Sequence, residues 1–532
     1  MAFGPAALQP PILRIFLALG ILFGACYALI LPPLQAPDEF AHFYRAYGIA
    51  EGSCVASTLT AIPVSLREMA AAFQPNMEEE RRIEPDYILA FLHKPLEDGQ
   101  RKGVTNEAAN MYSCFPYLPS AIGIEAGRIV GASPAALLYL SRLGNLAAYL
   151  ALVALALRQL PGFQLPLLAV ALMPMALSQA ASASWDGVAY ATAFFLFAYI
   201  LRLAWDPQIH TLATRHYLLL GGTVVVAALC KADLWLTPLL VLVPAPRFGG
   251  MRRKWLVLLG AIGLGLLVIA GWNYLNREDI ARWVEHVKDR QIYLSDNAAF
   301  LVHQPGVFAA TVGRTWAVHG IDFAAEFIGK LGWLAVTLPA WSIGLYFLLL
   351  VMLAATSEVR PTAANRVLCV GLAITAISSV FIGMWCAETT RPHTLTVLQG
   401  TGLVAGVQGR YFIPFALPLL LGISAVWRRI NRKWLPAAAA VTIFAVNAVA
   451  VQEIRGTYYL TGSVSPYENK LVRRAGSSPE DGKVFLVRAG KRHWIIFGSW
   501  IVKHGYRWPE ELLVLTPEQF ATIPEGKLIG EQ

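Results

Sequence analysis

The stretch that organises this chain is Pro37-Asp38-Glu39-Phe40-Ala41-His42-Phe43-Tyr44-Arg45. It follows an apolar run at residues 16–31, which predicts a membrane-spanning first helix because a span needs roughly 20 mostly apolar residues. Carboxylates at the end of a spanning helix are costly to place near lipid, so Asp38 and Glu39 predict a functional site. The alternative is that they only cap the next helix. A cap needs one carboxylate, however, and does not need the histidine and arginine that follow one turn later.

Composition assigns the chain to the membrane proteins. Of its 532 residues, 56% are hydrophobic and 14% are charged, whereas soluble globular proteins carry charge at about a quarter of their positions. The formal net charge of +9 would favour nucleic acid as the partner of a soluble protein. Here the basic residues gather in short loops between apolar runs, so they indicate topology and we expect no nucleic-acid partner. The sequence has no P-loop, paired Cys-x-x-Cys or His-Glu-x-x-His pattern, which leaves ATPase and zinc-protease functions without support.

Apolar runs along the chain predict a polytopic α-helical membrane protein with about 11 transmembrane helices. The runs cover approximately residues 16–31, 135–157, 166–182, 187–204, 217–230, 234–245, 255–273, 332–354, 367–385, 411–427 and 436–452. Two long loops interrupt them, at about 35–133 and 273–330. We expect the second loop to carry a helix that lies in the membrane interface. The membrane domain should cover residues 1–455.

The remaining residues, 456–532, predict a small soluble β-rich module. Alternating apolar residues at 483–487 and 493–497 indicate two strands. A Gly-Tyr-x-Trp turn at 505–508 and an Ile-Pro-x-Gly segment at 523–526 follow. We expect no catalysis in this module, which either contacts glycan or wall, or passively caps the outer face of the membrane domain.

Basic residues in the short loops predict the orientation, because cytoplasmic loops are enriched in lysine and arginine. These loops carry Arg202, Arg215, Arg247, Arg252, Arg253, Lys254, Arg360, Arg366, Arg428, Arg429, Arg432 and Lys433. With a cytoplasmic N-terminus and the predicted spans, all of these residues fall in the cytoplasm, while the two long loops and the C-terminal module fall outside. In a bacterium this arrangement means the inner membrane and a periplasmic site. Because the periplasm is oxidising, we predict a disulfide between Cys54 and Cys114.

Polar residues from distant parts of the chain share the predicted outer side. They are Asp38, Glu39, His42, Arg45, Tyr112, Asp186, Lys231, Asp233, Arg314, His319, Arg391, His393, Gln408, Arg410 and Tyr411. The acidic residues come early and the cations later, which predicts a site with two halves. A carboxylate can take a proton from a hydroxyl, and cations can neutralise a phosphate, arginine through a bidentate contact. Together these groups suit glycosyl transfer from a lipid phosphate.

Three motifs resemble those of a family of bacterial membrane proteins, the domain of unknown function twenty-one forty-two. They are Pro-Asp-Glu-x-x-His-x-x-Arg-Ala at 37–46, Ser-x-Ser-x-Asp at 182–186 and Gln-Gly-Arg-Tyr-Phe-x-Pro at 408–414, and the resemblance covers roughly residues 10–455. That family is similar to the GT-C superfamily, integral-membrane glycosyltransferases that use polyprenyl-phosphate sugar donors. The resemblance implies a GT-C-like fold and an inverting transfer of a sugar to a hydroxyl on a periplasmic or surface glycan or lipid.

The resemblance also implies roles for individual residues. In the superfamily an acidic residue of the first outer loop is the base or a metal-associated group, which corresponds here to Asp38 with Glu39 beside it. If the protein uses a divalent cation, Mg²⁺ or Mn²⁺, it would lie at these two carboxylates. Arg410 and Lys231 would hold the lipid phosphate. Further substrate contacts are expected from His42, Arg45, Asp186, Gln408 and Tyr411.

Two positions depart from the family pattern. Phe40 stands where the family usually has proline, and Ala335 stands where an aspartate is expected. If that aspartate contributes to the family's site, the substrate or the metal dependence of this protein differs.

Other interpretations remain open at this stage. Asp186 also fits a helix cap, Lys231 fits a lysine that extends from a helix end to the interface, and Arg410 fits a charge at a span boundary. His42 is typical of a helix-surface partner of Asp38. For the whole protein, a transporter or flippase of lipid-linked glycan predicts broken helices and charges at mid-membrane. An envelope assembly protein predicts that the tail is essential and Asp38 is dispensable.

Overall fold

A computed structural model describes most of the chain. The described residues are 10–55, 59–73, 83, 85–97, 99–105, 107–160, 162–231, 234–290, 292–389, 402–424, 432–459, 466–467, 469–476, 478–488, 490–496, 498, 500–501, 506–526 and 528–529.

The N-terminal half is a succession of helices with one two-stranded sheet in the first loop. Its helices are α1 (Pro10–Ile30), α2 (Glu39–Ala50), α3 (Val64–Phe73), α4 (Pro85–His93), α5 (Glu107–Asn110), α6 (Leu118–Ile129), α7 (Pro134–Gln159), α8 (Gln164–Ala171), α9 (Pro174–Ala180), α10 (Asp186–Trp205) and α11 (Thr214–Lys231). The strands are β1 (Leu59–Pro63) and β2 (Arg101–Thr105), and a 3-10 turn covers Phe115–Tyr117.

The C-terminal half continues the bundle and then changes to a small sheet. Its helices are α12 (Met251–Leu275), α13 (Arg277–Asp289), α14 (Leu294–His303), α15 (Pro305–Ile328), α16 (Ala340–Ala355), α17 (Ala363–Ala387), α18 (Ala416–Gly422), α19 (Leu435–Tyr458) and α20 (Pro517–Ala521). Its 3-10 segments are Leu234–Leu242, Ala245–Phe248, Gly409–Phe415, Arg432–Trp434 and Pro479–Gly482. Its strands are β3 (Lys330–Leu331), β4 (Val336–Thr337), β5 (Leu471–Arg474), β6 (Phe485–Arg488), β7 (Lys491–Trp494) and β8 (Leu512–Leu515).

Within the described residues, 6 helices are long and apolar enough to cross a membrane: α1, α7, α10, α12, α17 and α19. Three further apolar segments are shorter helices, namely α11, α16 and Gly409–Gly422. The other two predicted runs do not form one continuous α-helix, because Pro174 begins α9 and Pro238 lies inside a 3-10 segment. The polytopic helical membrane fold is therefore confirmed, and the count of 11 spans stays a prediction.

The interrupted pair α8 and α9 lies in the buried centre of the bundle, beside α10. In the most apolar stretch of α10, 89% of the residues are buried. Carbonyl groups at the interruption would lack partners in such a dry interior unless side chains supplied them. Three neighbouring helices do so, by donation from Tyr346 to Ala169 O (2.7 Å), from Tyr149 to Ala171 O (2.8 Å) and from Asn447 to Leu172 O (3.0 Å). These three carbonyl groups at the interruption therefore have hydrogen-bond partners. The helix α9 then leads directly into the turn before α10.

The first loop folds into a compact layer over one end of the bundle. The strands β1 and β2 pair antiparallel with Leu59 opposite Thr105, and α2 packs on α6 and on β1. A disulfide joins Cys54 to Cys114, which confirms the predicted pairing. The second loop consists of α13, α14 and α15, and α13 carries many charged residues. Its predicted position in the membrane interface stays a prediction.

The C-terminal region forms a four-stranded sheet in the order β7-β6-β5-β8, with β5 and β8 parallel and the other pairs antiparallel. The predicted strand pair corresponds to β6 and β7. The second strand begins earlier than predicted because Arg488 pairs with Lys491 across a short turn in which Gly490 has a φ of 70°. The helix α19 ends at Tyr458, beyond the predicted boundary at residue 455.

Candidate functional site

Asp38 lies just before α2 and presents its carboxylate to solvent. Its backbone is left-handed, with φ 56° and ψ 16°, a conformation that aspartate tolerates better than most residues. Although it occupies the position before the helix, its side chain makes no capping hydrogen bond. The carboxyl side chain is 54% exposed and faces the guanidinium of Arg410. The capping interpretation of Asp38 therefore lacks its defining contact.

Arg410 is the centre of the polar cluster and is itself buried, with a side chain only 3% exposed. It belongs to the 3-10 segment Gly409–Phe415, which brings it against the turn before α10. Its polar contacts are Nε to Gln408 Oε1 (2.7 Å), Nη1 to Gln179 Oε1 (3.2 Å), Nη1 to Asp186 Oδ2 (3.3 Å) and Nη2 to Asp38 Oδ2 (3.6 Å). One guanidinium therefore joins the first, second and third sequence motifs.

Asp186 is the buried carboxylate of this cluster. It is the first residue of α10, and its side chain is 3% exposed, compared with 54% for Asp38. The turn that carries it is held by α7, because the side-chain amide of Asn145 donates to the carbonyls of Ser182 and Ser184 (2.8 Å each). The contact with Arg410 supports a site role for Asp186 in addition to its place in the first turn of a helix.

Aromatic side chains form one side of the cluster. Tyr112 packs on Trp185 with ring centroids 4.0 Å apart, and the ring of Tyr411 lies 5.2 Å from the guanidinium carbon of Arg410, within cation–π range. Burial, followed by the nearby Tyr411 and the carboxylates Asp186 and Asp38, raises the pKa of Tyr112. Its hydroxyl therefore stays protonated near neutral pH and is available as a hydrogen-bond donor.

His42 contributes to the same aromatic side. It is buried, its Nδ1 lies 2.8 Å from the hydroxyl of Tyr117, and its ring lies 6.4 Å from that of Trp185. These contacts give His42 a packing role beneath the cluster, and its backbone N–H donates to the carbonyl oxygen of Asp38 (3.1 Å). Its imidazole is buried, whereas the alternative interpretation expected it on the helix surface.

Arg45 holds the first loop together. It donates to the carbonyls of Ser53 (2.9 Å), Cys54 (2.7 Å) and Tyr112 (3.4 Å), and it is 2% exposed. The disulfide of Cys54 closes the same region. Arg45 is therefore placed to position Tyr112, whereas the sequence predicted a direct substrate contact.

Glu39 has a different environment from its neighbour Asp38. Its carboxylate is fully buried and forms a bidentate ion pair with Arg142 of α7, at 2.8 Å for Oε1 and 2.7 Å for Oε2. Oε1 also accepts from the backbone of Ala183 (3.0 Å), and Oε2 accepts from that of Ala36 (3.4 Å). A carboxylate with four partners has no remaining site for an acceptor or a metal. This geometry revises the predicted catalytic role of Glu39 to a structural one, linking the first motif to the second.

The third motif is fixed by α15. Glu326, which is 6% exposed, accepts the backbone N–H of Gly409 at 2.7 Å. The backbone of Gly409 lies so close to α15 that an added Cβ would be 1.9 Å from the carbonyl oxygen of Phe323. Glycine is therefore required beside Arg410 because of this close approach.

We expect Gly409→Ala to displace the Gly409–Phe415 segment from α15 and to lower the free energy of unfolding by about 1–3 kcal/mol, as for other overpacked positions. Gly371→Ala is the matched control, since a Cβ at that position of α17 would meet nothing within 4 Å. Thermal unfolding of both purified variants in detergent checks the prediction. Equal unfolding temperatures for the two variants would contradict the close packing of Gly409.

Other predicted residues lie away from the cluster or outside the described part. Lys231 is the last residue of α11, and its side chain is outside the described residues, as are Asp233, Arg391 and His393. Arg314 donates to Thr311 Oγ1 (3.1 Å), and His319 lies 3.6 Å from Asp322 on an exposed surface. Ala335 is exposed in the β3–β4 hairpin, whose Trp333 stacks on Phe40 with ring centroids 6.4 Å apart.

Three contributors were not predicted as site residues: Gln179, Arg142 and Glu326. Each had a weak signal in the sequence. Arg142 is a charge inside an apolar run, which is rare without a partner, and Gln179 lies in the small polar patch before Asp186. Glu326 had only its place as the one charge in the apolar segment 323–328.

The donor set does not fit a resident divalent cation. Glu39 is fully occupied by its four hydrogen bonds, and the space between Asp38 and Asp186 is taken by the guanidinium of Arg410. Mg²⁺ requires near-octahedral oxygen ligands at roughly 2.0–2.1 Å. In the part of the chain that the structure describes, no group of three or more His, Cys, Asp and Glu residues could hold a metal. Arg410 supplies the positive charge of this site instead.

Residues 21–420 match the model of a family described as "Predicted membrane protein (DUF2142)". The match contains all three sequence motifs and the whole polar cluster. The chain belongs to this family. The C-terminal sheet lies outside the matched region, so the family membership concerns the helical part alone. No curated protein and no solved structure matches the chain.

Proposed function

We propose that this member of the family is a membrane glycosyltransferase that moves a sugar from a polyprenyl-phosphate donor to a hydroxyl acceptor on a glycan or lipid. The observation that carries the proposal is the position of Arg410 between the exposed Asp38 and the buried Asp186. A carboxylate open to solvent beside a fixed guanidinium supplies the base and the phosphate-binding group that such a transfer needs.

In the proposed reaction Asp38 acts as the general base. The acceptor hydroxyl gives its proton to the Asp38 carboxylate while its oxygen bonds to the anomeric carbon of the sugar. The bond from that carbon to the phosphate oxygen breaks, and the electron pair leaves with the phosphate. Attack from the side opposite the leaving group inverts the anomeric centre.

Arg410 stabilises the departing phosphate through charge-assisted hydrogen bonds. It is held before substrate arrives by Gln408, Gln179 and Asp186, so little reorganisation is needed during the reaction. Tyr112 is a protonated donor at the same site. Lys231 remains a proposed second phosphate contact on the sequence argument alone. Because the donor set does not fit a metal, no step of this mechanism uses one.

A lipid-linked donor is supported by the setting of the cluster. Asp186 begins α10, a helix long and apolar enough to cross a membrane, and the sequence has no P-loop for a nucleotide. We further propose the inner membrane of a bacterium, a GT-C-like arrangement of about 11 spans and a cytoplasmic N-terminus, with the site and the C-terminal module in the periplasm. The Cys54–Cys114 disulfide supports an oxidising compartment for the first loop.

One observation favours a second candidate, a transporter of lipid-linked glycan. The interrupted pair α8 and α9 resembles the broken helices that transporters place at their binding sites. Against it, the carbonyls at the interruption accept hydrogen bonds from Tyr346, Tyr149 and Asn447, whereas a transport site would leave such groups for its substrate. The charged cluster also lies at the ends of helices, where Asp186 begins α10.

Mass profiling of envelope glycans tests the proposed function. Cells with the protein, cells without it and cells whose protein ends after residue 459 are compared. We expect one sugar mass to be absent only from the cells without the protein. Loss of the same sugar in the truncated strain would favour an assembly role for the tail. Unchanged sugars together with glycan accumulating on the cytoplasmic side would favour transport.

A further inference from the structure

The contacts of the Arg410 guanidinium differ in length and in the burial of their partners. Its Nε and Nη1 groups donate to Gln408, Gln179 and Asp186 at 2.7–3.3 Å. Gln179 and Asp186 are each 2% exposed, so these acceptors are inside the protein. Their hydrogen bonds orient the guanidinium whether or not a substrate is present.

The Nη2 group has a weaker contact. Its ion-pair partner Asp38 lies 3.6 Å away, beyond normal hydrogen-bond distance, and the Asp38 side chain is 54% exposed. Arg410 is buried, but water reaches the Asp38 carboxylate and competes with Arg410 for it, which weakens the pair. Of the contacts of Arg410, the one to Asp38 is therefore the one that another anion can replace.

The Asp38 carboxylate occupies the position beside Nη2 that a bound phosphate would need. A phosphate at Nη2 would lie next to the Asp38 carboxylate, and like charges at such a distance repel. The phosphate can approach closely only if this carboxylate moves away from Arg410.

The backbone limits how Asp38 can move. Left-handed φ angles at Leu34 (62°), Asp38 (56°) and Leu334 (61°) occur in two segments that touch through the stacked rings of Phe40 and Trp333. Non-glycine residues persist in this conformation only where the surrounding structure fixes them. With the backbone fixed, the motion that would release Arg410 is rotation of the exposed Asp38 side chain.

We infer that the donor phosphate binds to the Nη2 side of Arg410 in place of the Asp38 carboxylate, and that this exchange frees Asp38 for the acceptor hydroxyl. The inference rests on the proposed function and adds an order of binding to it, donor before acceptor. The ligand chemistry at this subsite is a phosphate monoester or diester on a polyisoprenoid chain.

Titration of the purified full-length protein in detergent with farnesyl phosphate, a short polyprenyl phosphate, tests the exchange by calorimetry. Asp38→Asn removes the competing charge, so we expect this variant to bind farnesyl phosphate about fivefold more tightly than the wild type. Arg410→Gln removes the phosphate contact, and binding should weaken at least about tenfold. Farnesol, which has no phosphate, should bind all of these proteins equally.

Asp322→Asn is the matched control for charge. Asp322 is 53% exposed, much like Asp38, but pairs with Lys330 and His319 and not with Arg410. Its variant should bind farnesyl phosphate as the wild type does. Equal or weaker binding by Asp38→Asn, with measurable binding by the wild type, would overturn the exchange and leave the proposed function standing. Wild-type binding no stronger for farnesyl phosphate than for farnesol would instead contradict the phosphate subsite and the proposed function with it.

Discussion

Asp38→Asn is expected to abolish sugar transfer while the variant folds as the wild type does. A positioned general base contributes about a hundredfold to ten-thousandfold to a reaction rate, and an amide cannot take the proton. The Asp38 side chain is 54% exposed and makes no capping bond, so its replacement removes only one ion-pair contact, at 3.6 Å from the buried Arg410. Arg410 keeps its ion pair with Asp186, so we expect a loss of about 1 kcal/mol, at the upper end of the range for exposed pairs.

The measurement is the amount of transferred sugar in cells that express equal amounts of wild-type, Asp38→Asn and Asp322→Asn protein. The Asp322 variant loses an equally exposed carboxylate that has no contact with Arg410, and we expect it to retain transfer. A fully active Asp38→Asn protein would remove Asp38 from the mechanism. A sugar missing in the strain without the protein but present with Asp38→Asn would point to transport or assembly.

Arg142→Met is expected to have the largest effect on stability. Both side chains of the Glu39–Arg142 ion pair are 0% exposed, and removal of one partner from a buried pair costs about 3–5 kcal/mol because the other charge is left without compensation. Arg142 also donates to the carbonyls of Ala28 (2.9 Å), Leu31 (2.6 Å) and Pro32 (2.8 Å) at the C-terminal end of α1. The variant should yield little folded protein after detergent extraction, as measured by size-exclusion chromatography.

The double variant Glu39→Leu with Arg142→Met separates the structural role of Glu39 from a catalytic one. Replacing both charges by apolar side chains of similar size removes the uncompensated charge, so part of the lost stability should return. If Glu39 acts only in the structure, the folded fraction of this double variant transfers sugar. A well-folded but inactive double variant would restore the catalytic interpretation of Glu39. Single variants as stable as the wild type would contradict the buried pair itself.

The sequence alone predicted the helical membrane fold, the β-rich C-terminal region and the three motifs that the structure brings together around Arg410. Apolar runs identified the membrane-spanning helices, because a long apolar helix is stable only inside lipid or protein. The predicted oxidising compartment led to the Cys54–Cys114 pair, which the structure contains. The motifs at 37–46, 182–186 and 408–414 each contribute to the cluster around Arg410.

The sequence could not predict the number of continuous spans or two strands of the C-terminal sheet. The run at 166–182 is apolar throughout, but Pro174 divides it into α8 and α9, and hydrogen bonds from three other helices make the division possible in the interior. The strand β8 pairs with β5 in parallel across a long connection, and local alternation does not reveal such a partner.

The roles of the two adjacent acids depended on tertiary structure alone. Asp38 and Glu39 are equivalent in the sequence, yet one is 54% exposed beside Arg410 and the other is 0% exposed beside Arg142. The partner of Glu39 is 103 residues away, and Asp186 and Gln179 lie 224 and 231 residues from Arg410. Local sequence specifies periodicity, charge and turn chemistry. Which distant side chain meets which carboxylate is decided only when the helices pack, because packing sets the direction in which each residue points.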